Sequence, residues 1–453
     1  MYILPVLYFQ KAYLLCYNID LEVFMQDSKK EIISWSLYDW ANSAFATTVM
    51  AAFFPIFFSA YWSMGQDASV STFFLGIANS IASLVVAALA PFLGAIADSG
   101  SYRKKFLIFL AFLGAAMTSC LFLLRAGDWV LAIVFYVISC IGFSGGNTFY
   151  DSLLPCVASE KKVDFVSALG FSLGYIGGGL LFLINVLMYL KPALFGLADS
   201  VQAVKVSFLT VGIWWLVFTI PLLLFVKEDN GGKKVKISES CKNGARDIIQ
   251  TLKCLKYLKT TTLFLISYWC YIDGVDTIVR MATDYGSALG FSSSSLIVAL
   301  LITQFVAFPA ALLYNLFGKK IGTRNAILVA IIAYCIITTL GVFMTKEIHF
   351  YLLAILIGLF QGGIQALSRS YYTRLIPKNN SAQFFGFFNM LGKFAAIVGP
   401  FLIGIVTLIT KSNRVGLLSL IILFAAGGTL LLKVDESKAS KEVERFEEKI
   451  ARA

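Results

Sequence analysis

The sequence predicts an all-α membrane protein with twelve transmembrane helices. Of the 453 residues, 58% are hydrophobic and only 14% are charged, and the mean hydropathy is +0.80. This apolar content exceeds what a soluble core requires. A helix needs about 20 residues to cross a bilayer. Twelve apolar runs of suitable length occur, at 35–62, 73–97, 106–124, 130–151, 164–190, 206–226, 263–288, 295–317, 326–344, 350–372, 384–409 and 415–432.

Charged residues recur in every third run. The first run contains Asp39, the fourth Asp151 and the tenth Arg369, whereas the third, sixth, ninth and twelfth runs contain none. The seventh run holds four charged residues, Asp273, Asp276, Arg280 and Asp284. A charge at bilayer depth costs several kcal/mol unless it faces a bundle interior or a water-filled cavity. The pattern therefore predicts a cavity lined by runs one, four, seven and ten, and it indicates transport.

The basic residues indicate the topology of the chain. If the first loop lies outside, 28 of the 37 Lys and Arg residues fall on the inner side and six on the outer side, and three lie within runs. This asymmetry follows the positive-inside rule and predicts a multi-pass protein of the cell (inner) membrane with both termini in the cytoplasm. The net charge of +11 is thus a topology signal, and we expect no nucleic-acid partner.

A long polar stretch divides the twelve runs into six and six. The stretch before Met25 makes a poor signal peptide. We expect either that translation starts at Met25 or that the upstream stretch is an interfacial segment. The linker contains an amphipathic pattern, and the C-terminal tail is expected to be a short, charged, solvated helix. The predicted parts are an N-terminal segment (1–32), a six-helix half (33–226), a cytoplasmic linker (227–262), a second six-helix half (263–433) and a cytoplasmic tail (434–453).

The two halves repeat a loop sequence. GAIADSGSYRKK at 94–105 follows the second run, and ALLYNLFGKK at 311–320 follows the eighth. Asp98 corresponds to Asn315 in this comparison. Two pseudo-symmetric six-helix halves of parallel topology are typical of transporters.

These motifs resemble known proteins. The first loop is similar to the signature of the major facilitator superfamily. SWSLYDWANSAFATTVMAAFFPIFF (34–58), GLFQGGIQALSRSYYTRLIP (358–377) and GFSLGYIGGGLL (170–181) resemble the autophagy-related vacuolar effluxer family and its bacterial relatives. The resemblance implies the major facilitator fold, alternating access and, in fungal members, amino-acid export at the vacuolar membrane. It also implies a conformational loop, formed here by Gly94, Asp98, Arg103 and Lys104.

The inner ends of three runs suggest a gate. Asp39 lies on a polar, small-residue face of the first run, while Asp151 and Arg369 lie in the cytoplasmic thirds of their runs. We expect Arg369 to pair with one of the two carboxylates and so to bridge the halves. The alternative is that Asp39 simply reaches water at the end of its helix.

The seventh run suggests a deeper binding and coupling site. Asp273, Asp276 and Arg280 share one helical face. Carboxylates that are buried and crowded are protonated more readily than solvated ones. Proton coupling requires a carboxylate of this kind. The alternative is a static ladder of ion pairs within the helix. Lys393, deep in the eleventh run, is expected to pair with one of these carboxylates or to bind a substrate carboxylate.

Uncharged polar residues complete the predicted lining. Gln361 and Gln365 share a face of the tenth run, Asn147 precedes Asp151 by one turn, and all three can hydrogen-bond a polar solute. The glycine-rich fifth run is expected to serve close helix packing; Tyr175 stands where antiporters of the superfamily carry proline.

The remaining chemistry argues against other classes of protein. One histidine and eight scattered cysteines give no catalytic or metal-binding pattern, and a nucleotide-binding loop is absent from the sequence. We therefore expect no enzyme, no cofactor and no metal site. The sequence predicts a monomeric secondary transporter of a small polar solute, with amino acids as the expected class, coupled to a proton or another ion. Transport of a peptide, nucleoside or siderophore, and a non-transporting membrane sensor, stay open as alternatives.

Overall fold

The chain folds into a bundle of long helices. The structure is a computed structural model that describes residues 27–64, 68–228, 257–288 and 290–451, and every regular element in these residues is helical. Eleven of the described helices are long and apolar enough to cross a membrane, and a twelfth contains the shorter apolar segment Val398–Thr410. The predicted all-α membrane architecture is confirmed. The expected start at Met25 and most of the linker lie outside the described residues.

The helices follow the predicted runs in order and extend several of them, because polar residues at the ends continue the helical turns. In chain order they are α1 (Lys29–Trp62), α2 (Ala68–Gly100), α3 (Arg103–Cys120), α4 (Trp129–Val157), α5 (Val163–Leu190), α6 (Ser200–Phe225), α7 (Lys259–Ala288), α8 (Ser293–Ile321), α9 (Thr323–Val342), α10 (Glu347–Thr373), α11 (Ser381–Thr410), α12 (Asn413–Leu418 continued by Leu420–Leu431) and α13 (Glu436–Ala451). We call the end at which α1 begins and α10 ends the basal end, and the opposite end the distal end.

Helix α1 is not uniformly α-helical. It has wide π-helical turns at Phe45–Phe53 and Phe58–Trp62, separated by the short segment Phe54–Phe57. Pro55 lies in that segment and lacks the backbone N–H that a regular helix would use. Such π-turns are often found at functional sites, and here they follow the polar face that carries Asp39.

The glycines of α5 allow α1 to pack closely against it. A Cβ atom added to Gly174 would lie 2.7 Å from the Ser43 hydroxyl, and one added to Gly177 would lie 2.7 Å from the Trp40 ring. Real Cβ atoms do not approach other atoms this closely, so the contact requires glycine at these positions. The packing interpretation of the glycine-rich run is confirmed.

Buried apolar residues form two large clusters. One contains residues from Ile32 to Val226 and includes Ala382 of α11, and the other contains residues from Leu258 to Phe446. The two clusters meet where α2 contacts α11. A Cβ on Gly94 would collide with the Ala382 carbonyl, and one on Gly386 would lie 2.7 Å from the Ala90 carbonyl oxygen. Small residues thus let the backbones of the two helices touch.

The tail helix α13 is not fully solvated, contrary to the expectation from its charges. Ala439 and Phe446 are completely buried, and the Phe446 ring lies 5.9 Å from that of Phe384 on α11. The Glu442 carboxylate accepts hydrogen bonds from the backbone N–H and the hydroxyl of Thr260, at 2.8 and 3.1 Å, and so caps the start of α7. The expected short, charged helix is present and most of its side chains are exposed, but an apolar stripe at helical spacing runs through the charged sequence and is buried.

Candidate functional site: the basal gate and the polar path

Arg369 of α10 reaches across the basal end to three helices of the N-terminal half. Its Nη1 lies 3.0 Å from Asp151 Oδ1 on α4 and 3.5 Å from Asp39 Oδ2 on α1. Its Nε and Nη2 donate to the hydroxyl and the carbonyl oxygen of Ser167 on α5, both at 2.9 Å. The guanidinium therefore uses its fork of donors on three separate helices. We call Asp39, Asp151 and Arg369, the three residues of the predicted gate, the basal gate.

The basal gate is buried. Asp39 is 8% exposed and Arg369 is 3% exposed, so Asp39 does not reach water at the helix end as the alternative supposed. Around it, the Trp35 ring stacks on Tyr150 at 4.2 Å, and the guanidinium carbon lies 4.2 Å from the centre of the Phe171 ring. Aromatic faces of this kind stabilise a cation and exclude water. The predicted pairing of Arg369 with a carboxylate is confirmed, and it involves both carboxylates.

Neutral donors stabilise the excess negative charge of the gate. Two ionised carboxylates and one guanidinium carry a formal charge of −1. The Tyr150 hydroxyl donates to Asp39 Oδ2 at 2.8 Å, and the Asn389 amide of α11 donates to Asp151 Oδ2 at 3.2 Å. Hydrogen bonds to a charged acceptor contribute more than neutral ones, so these donors offset part of the desolvation cost.

The predicted conformational loop forms a second contact between the halves. Asp98 at the end of α2 accepts from the backbone N–H groups of Ala382 and Gln383, at 3.1 and 2.8 Å, and pairs with Arg103 at 2.7 Å. A carboxylate at the N-terminus of a helix is favoured by the helix dipole. Arg103 also donates to the Asn379 carbonyl at 3.1 Å. Asp98 thus caps α11 of the opposite half.

Lys104, the remaining member of the predicted loop, contacts only its own half among the described residues. Its ammonium group donates to the Val226 carbonyl at 2.6 Å. The Glu228 carboxylate accepts from the backbone N–H groups of Arg103 and Lys104 and so caps α3, at 2.9 and 3.2 Å. Burial raises the pKa of Glu228, while these two N–H groups oppose the rise.

Asn315 does not repeat the role of Asp98. It is 1% exposed, and neither polar atom of its side chain has a hydrogen-bond partner among the described residues. The contact between α5 and the C-terminal half at this end uses other residues. Arg374 pairs with Asp164 Oδ2 at 2.6 Å, and the Thr323 hydroxyl donates to the same oxygen at 3.0 Å. Sequence reasoning missed this set. The signal available in the sequence was the acidic Asp164 at the start of the fifth run together with the basic Arg374 just after the tenth.

Asp273 lies deeper, fourteen residues into α7. It is 1% exposed, and its Oδ1 accepts from the Gly399 N–H of α11 at 2.9 Å and from the Thr277 hydroxyl at 3.3 Å. Its Oδ2 is buried without a partner among the described residues. Asp276 is half-buried one turn further along. The side chains of Arg280, Asp284 and Lys393 lie outside the described part of the structure, so their predicted pairings stay predictions.

Two side-chain hydrogen bonds involve amide residues of the predicted lining. The Tyr175 hydroxyl of α5 donates to Gln365 Oε1 of α10 at 2.9 Å, which joins the two halves. The Asn42 amide of α1 donates to Asn147 Oδ1 of α4 at 2.6 Å. Gln361 lies one turn beyond Gln365, toward the distal end.

Comparison with known proteins identifies the family. Residues 27–164 and 159–444 match the family described as "Vacuole effluxer Atg22 like". The chain belongs to this Atg22-like family. It is 40% identical to YxiO of Bacillus subtilis (strain 168), described as an uncharacterized MFS-type transporter, over 92% of this chain and 97% of YxiO. It is 23% identical to autophagy-related protein 22 of Yarrowia lipolytica, over 78% of this chain and 73% of that protein.

The fold of this Atg22-like protein is that of the major facilitator superfamily (MFS). The structure of the proton:xylose symporter XylE matches it with a TM-score of 0.69 and 12% identity, covering 89% of this chain and 95% of XylE. Identity this low supports the fold alone. Together with the sequence relatives, it makes the chain a multi-pass, MFS-type transporter of the lipid bilayer, and its relatives are transporters rather than enzymes.

Proposed function

We propose that this Atg22-like protein moves a small polar solute, with amino acids as the leading class, by alternating access. The observation that carries the proposal is the basal gate. Arg369 belongs to one half, and the described hydrogen-bonding partners of its side chain, which are Asp39, Asp151 and Ser167, belong to the other. Such contacts close one end of a central path and break when that end opens, as two alternating states require.

The two states need two units that move against each other. We propose that residues 33–226 and 263–433 are these units, with 227–262 as the linker between them. The two apolar clusters support this division, because each gives one unit a core of its own. The excess of Lys and Arg on the basal side supports a cytoplasmic basal end, with both termini in the cytoplasm. The proposed unit of transport is the monomer.

Proton coupling is proposed for the deeper site. Asp273 is buried with one oxygen lacking a partner among the described residues, and Asp276 lies one turn away on the same helix. Two carboxylates this close cannot both ionise easily, so one of them is suited to carry a proton. Gln365 and Asn147 offer donors and acceptors to a zwitterionic solute without fixed charge.

Flux in proteoliposomes tests the proposal. Purified protein should exchange radiolabelled amino acids across the membrane, and an imposed pH gradient should drive accumulation. Asp273→Asn or Asp276→Asn should abolish accumulation, while exchange at equal pH persists. Glu444→Gln, a change at an exposed carboxylate of the tail helix, is the control and should leave both intact.

The outcomes separate the alternatives. Accumulation that survives in both aspartate variants contradicts proton coupling at this site but leaves transport standing. Exchange of peptides, nucleosides or siderophores in place of amino acids corrects the solute class. No flux of any tested solute under any gradient contradicts transport and favours a membrane sensor.

A further inference from the structure

A cavity of about 310 Å³ lies inside the C-terminal helices, toward the distal end. All six helices α7–α12 contribute to its wall. Representative lining residues are Ile278, Ala299, Thr338, Ala354, Ile403 and Leu417. The volume is far above that of packing voids and reaches the lower range of small-molecule sites. Helices α9 and α12 form one side of it, away from the basal gate.

The wall of this cavity is largely apolar, and its three hydroxyl groups already donate to backbone carbonyls. The Thr338 hydroxyl donates to the Tyr334 carbonyl at 2.7 Å, and the Thr303 hydroxyl donates to backbone carbonyls of α8 and α10 at 3.0 and 3.3 Å. The Tyr285 hydroxyl donates to the Gly341 carbonyl at 3.4 Å. The described side chains in the wall carry no formal charge. A charged ligand would lose its hydration here and find no counter-charge among these wall residues.

One polar atom in the wall is left unpaired. The Oε1 atom of Gln361 is buried and has no hydrogen-bond partner among the described residues. Leaving a buried acceptor without a donor is unfavourable, because the atom has lost its hydration and gained no hydrogen bond in return. Gln304 is also part of the wall, on the side that carries Gln361. A Cβ atom added to Gly179 of α5 would lie 3.1 Å from the Cβ atom of Gln304. The polar side of the cavity therefore lies next to the other half, and the apolar side lies against α9 and α12.

We infer that this cavity is a binding site for an uncharged amphiphile: a molecule with a compact alkyl or aromatic body and one hydroxyl or amide N–H group. The body occupies the apolar space between α9 and α10, and the donor binds Gln361 Oε1. The site is separate from the basal gate, since Gln361 precedes Arg369 by eight residues, or about 12 Å along α10. The inference goes beyond the proposed transport and does not depend on the identity of the cargo.

Binding should be tested with three probes that share the naphthalene ring: 2-naphthol, which adds a hydroxyl group, naphthalene itself, and 2-naphthoate, which adds a carboxylate. Thermal unfolding of the full chain in nanodiscs is followed while each probe is titrated. A ligand that binds the folded state raises the midpoint, and at a given concentration it does so by more the more tightly it binds. Wild type should bind 2-naphthol about fivefold more tightly than naphthalene, as one added hydrogen bond implies. The charged 2-naphthoate should give no shift.

Variants locate the site. Ala354→Phe adds bulk inside the cavity and should weaken 2-naphthol binding at least tenfold. Ala299→Leu has the same purpose and serves as a second variant in case the first does not fold. Gln361→Leu removes the acceptor but keeps the space, so it should bind naphthalene as before and lose the preference for 2-naphthol. Ile332→Phe adds bulk on the exposed side of α9 and should bind all probes like wild type.

Two results would overturn the inference. Undiminished 2-naphthol binding in a folded variant with added bulk places the probe in the bilayer or elsewhere on the protein. An unchanged preference for 2-naphthol in Gln361→Leu shows that this side chain does not recognise the donor. Both readings stand apart from solute flux, so failure here leaves the transport proposal untouched.

Discussion

Replacing Arg369 should open the basal end far more than replacing either of its carboxylate partners. Arg369→Gln leaves Asp39 and Asp151 buried side by side without a cation, and an uncompensated buried charge costs about 3–5 kcal/mol. Each 1.4 kcal/mol is a tenfold change, so the equilibrium should shift away from the closed state by roughly 150- to 4,000-fold.

Asp151→Asn should have a much smaller effect. It removes one negative charge from a cluster of formal charge −1 and leaves Asp39 opposite Arg369 as a neutral pair. The loss is then about one hydrogen bond, or roughly 1 kcal/mol. Arg369→Lys keeps the charge but not the fork that serves Ser167, so it should fall between the two.

Crosslinking at the basal surface measures the closed state. Lys378 Nζ lies 3.1 Å from Glu160 Oε1, the two residues belong to opposite halves, and both side chains are more than half exposed. An exposed ion pair contributes little, so Glu160→Cys with Lys378→Cys in a cysteine-free background should not itself open the end. A short bis-maleimide then reacts at a rate that follows the closed fraction. If Arg369→Gln crosslinks as fast as Asp151→Asn, the charge argument is wrong.

Four further changes test single contacts. Gly170→Ala would place a Cβ 2.7 Å from Asp39 Oδ2, so crosslinking at the basal surface should slow. Asp98→Asn weakens the cap of α11 and should destabilise the closed state by about 1–2 kcal/mol, seen in the same assay. Phe446→Ala should cost about 3–5 kcal/mol of docking energy and make α13 sensitive to limited proteolysis. Because burial raises the pKa of Glu228, the folded state holds its proton to a higher pH than the unfolded state does. The stability of wild type relative to Glu228→Gln should therefore increase as the pH falls toward 4.5, as measured by thermal unfolding.

The sequence predicts the helices and the basal gate for the same physical reason. Lipid tolerates neither unpaired backbone groups nor isolated charges, so apolar runs must be helical and Asp39, Asp151 and Arg369 must find one another. Hydropathy alone could not find the docking of α13, because its charged residues outweigh the buried stripe that ends at Phe446. The cavity beside Gln361 was also out of reach, since its volume depends on how six helices pack and no local pattern encodes it.

The partners of Asp39 and Asp273 argue for different roles within one motif. Both residues begin an Asp-x-x-Asn/Asp-Ser/Thr sequence, at 39–43 and 273–277, and both lie against a glycine of a neighbouring helix. Asp39 contacts a guanidinium from the opposite half, so its surroundings change whenever the halves separate. The described hydrogen bonds of Asp273 come from its own half, through Gly399 and Thr277, and these can persist in both states. A carboxylate bound across the halves senses their separation, whereas one held within a half can carry a proton through the cycle. The first arrangement suits the gate and the second suits the coupling site.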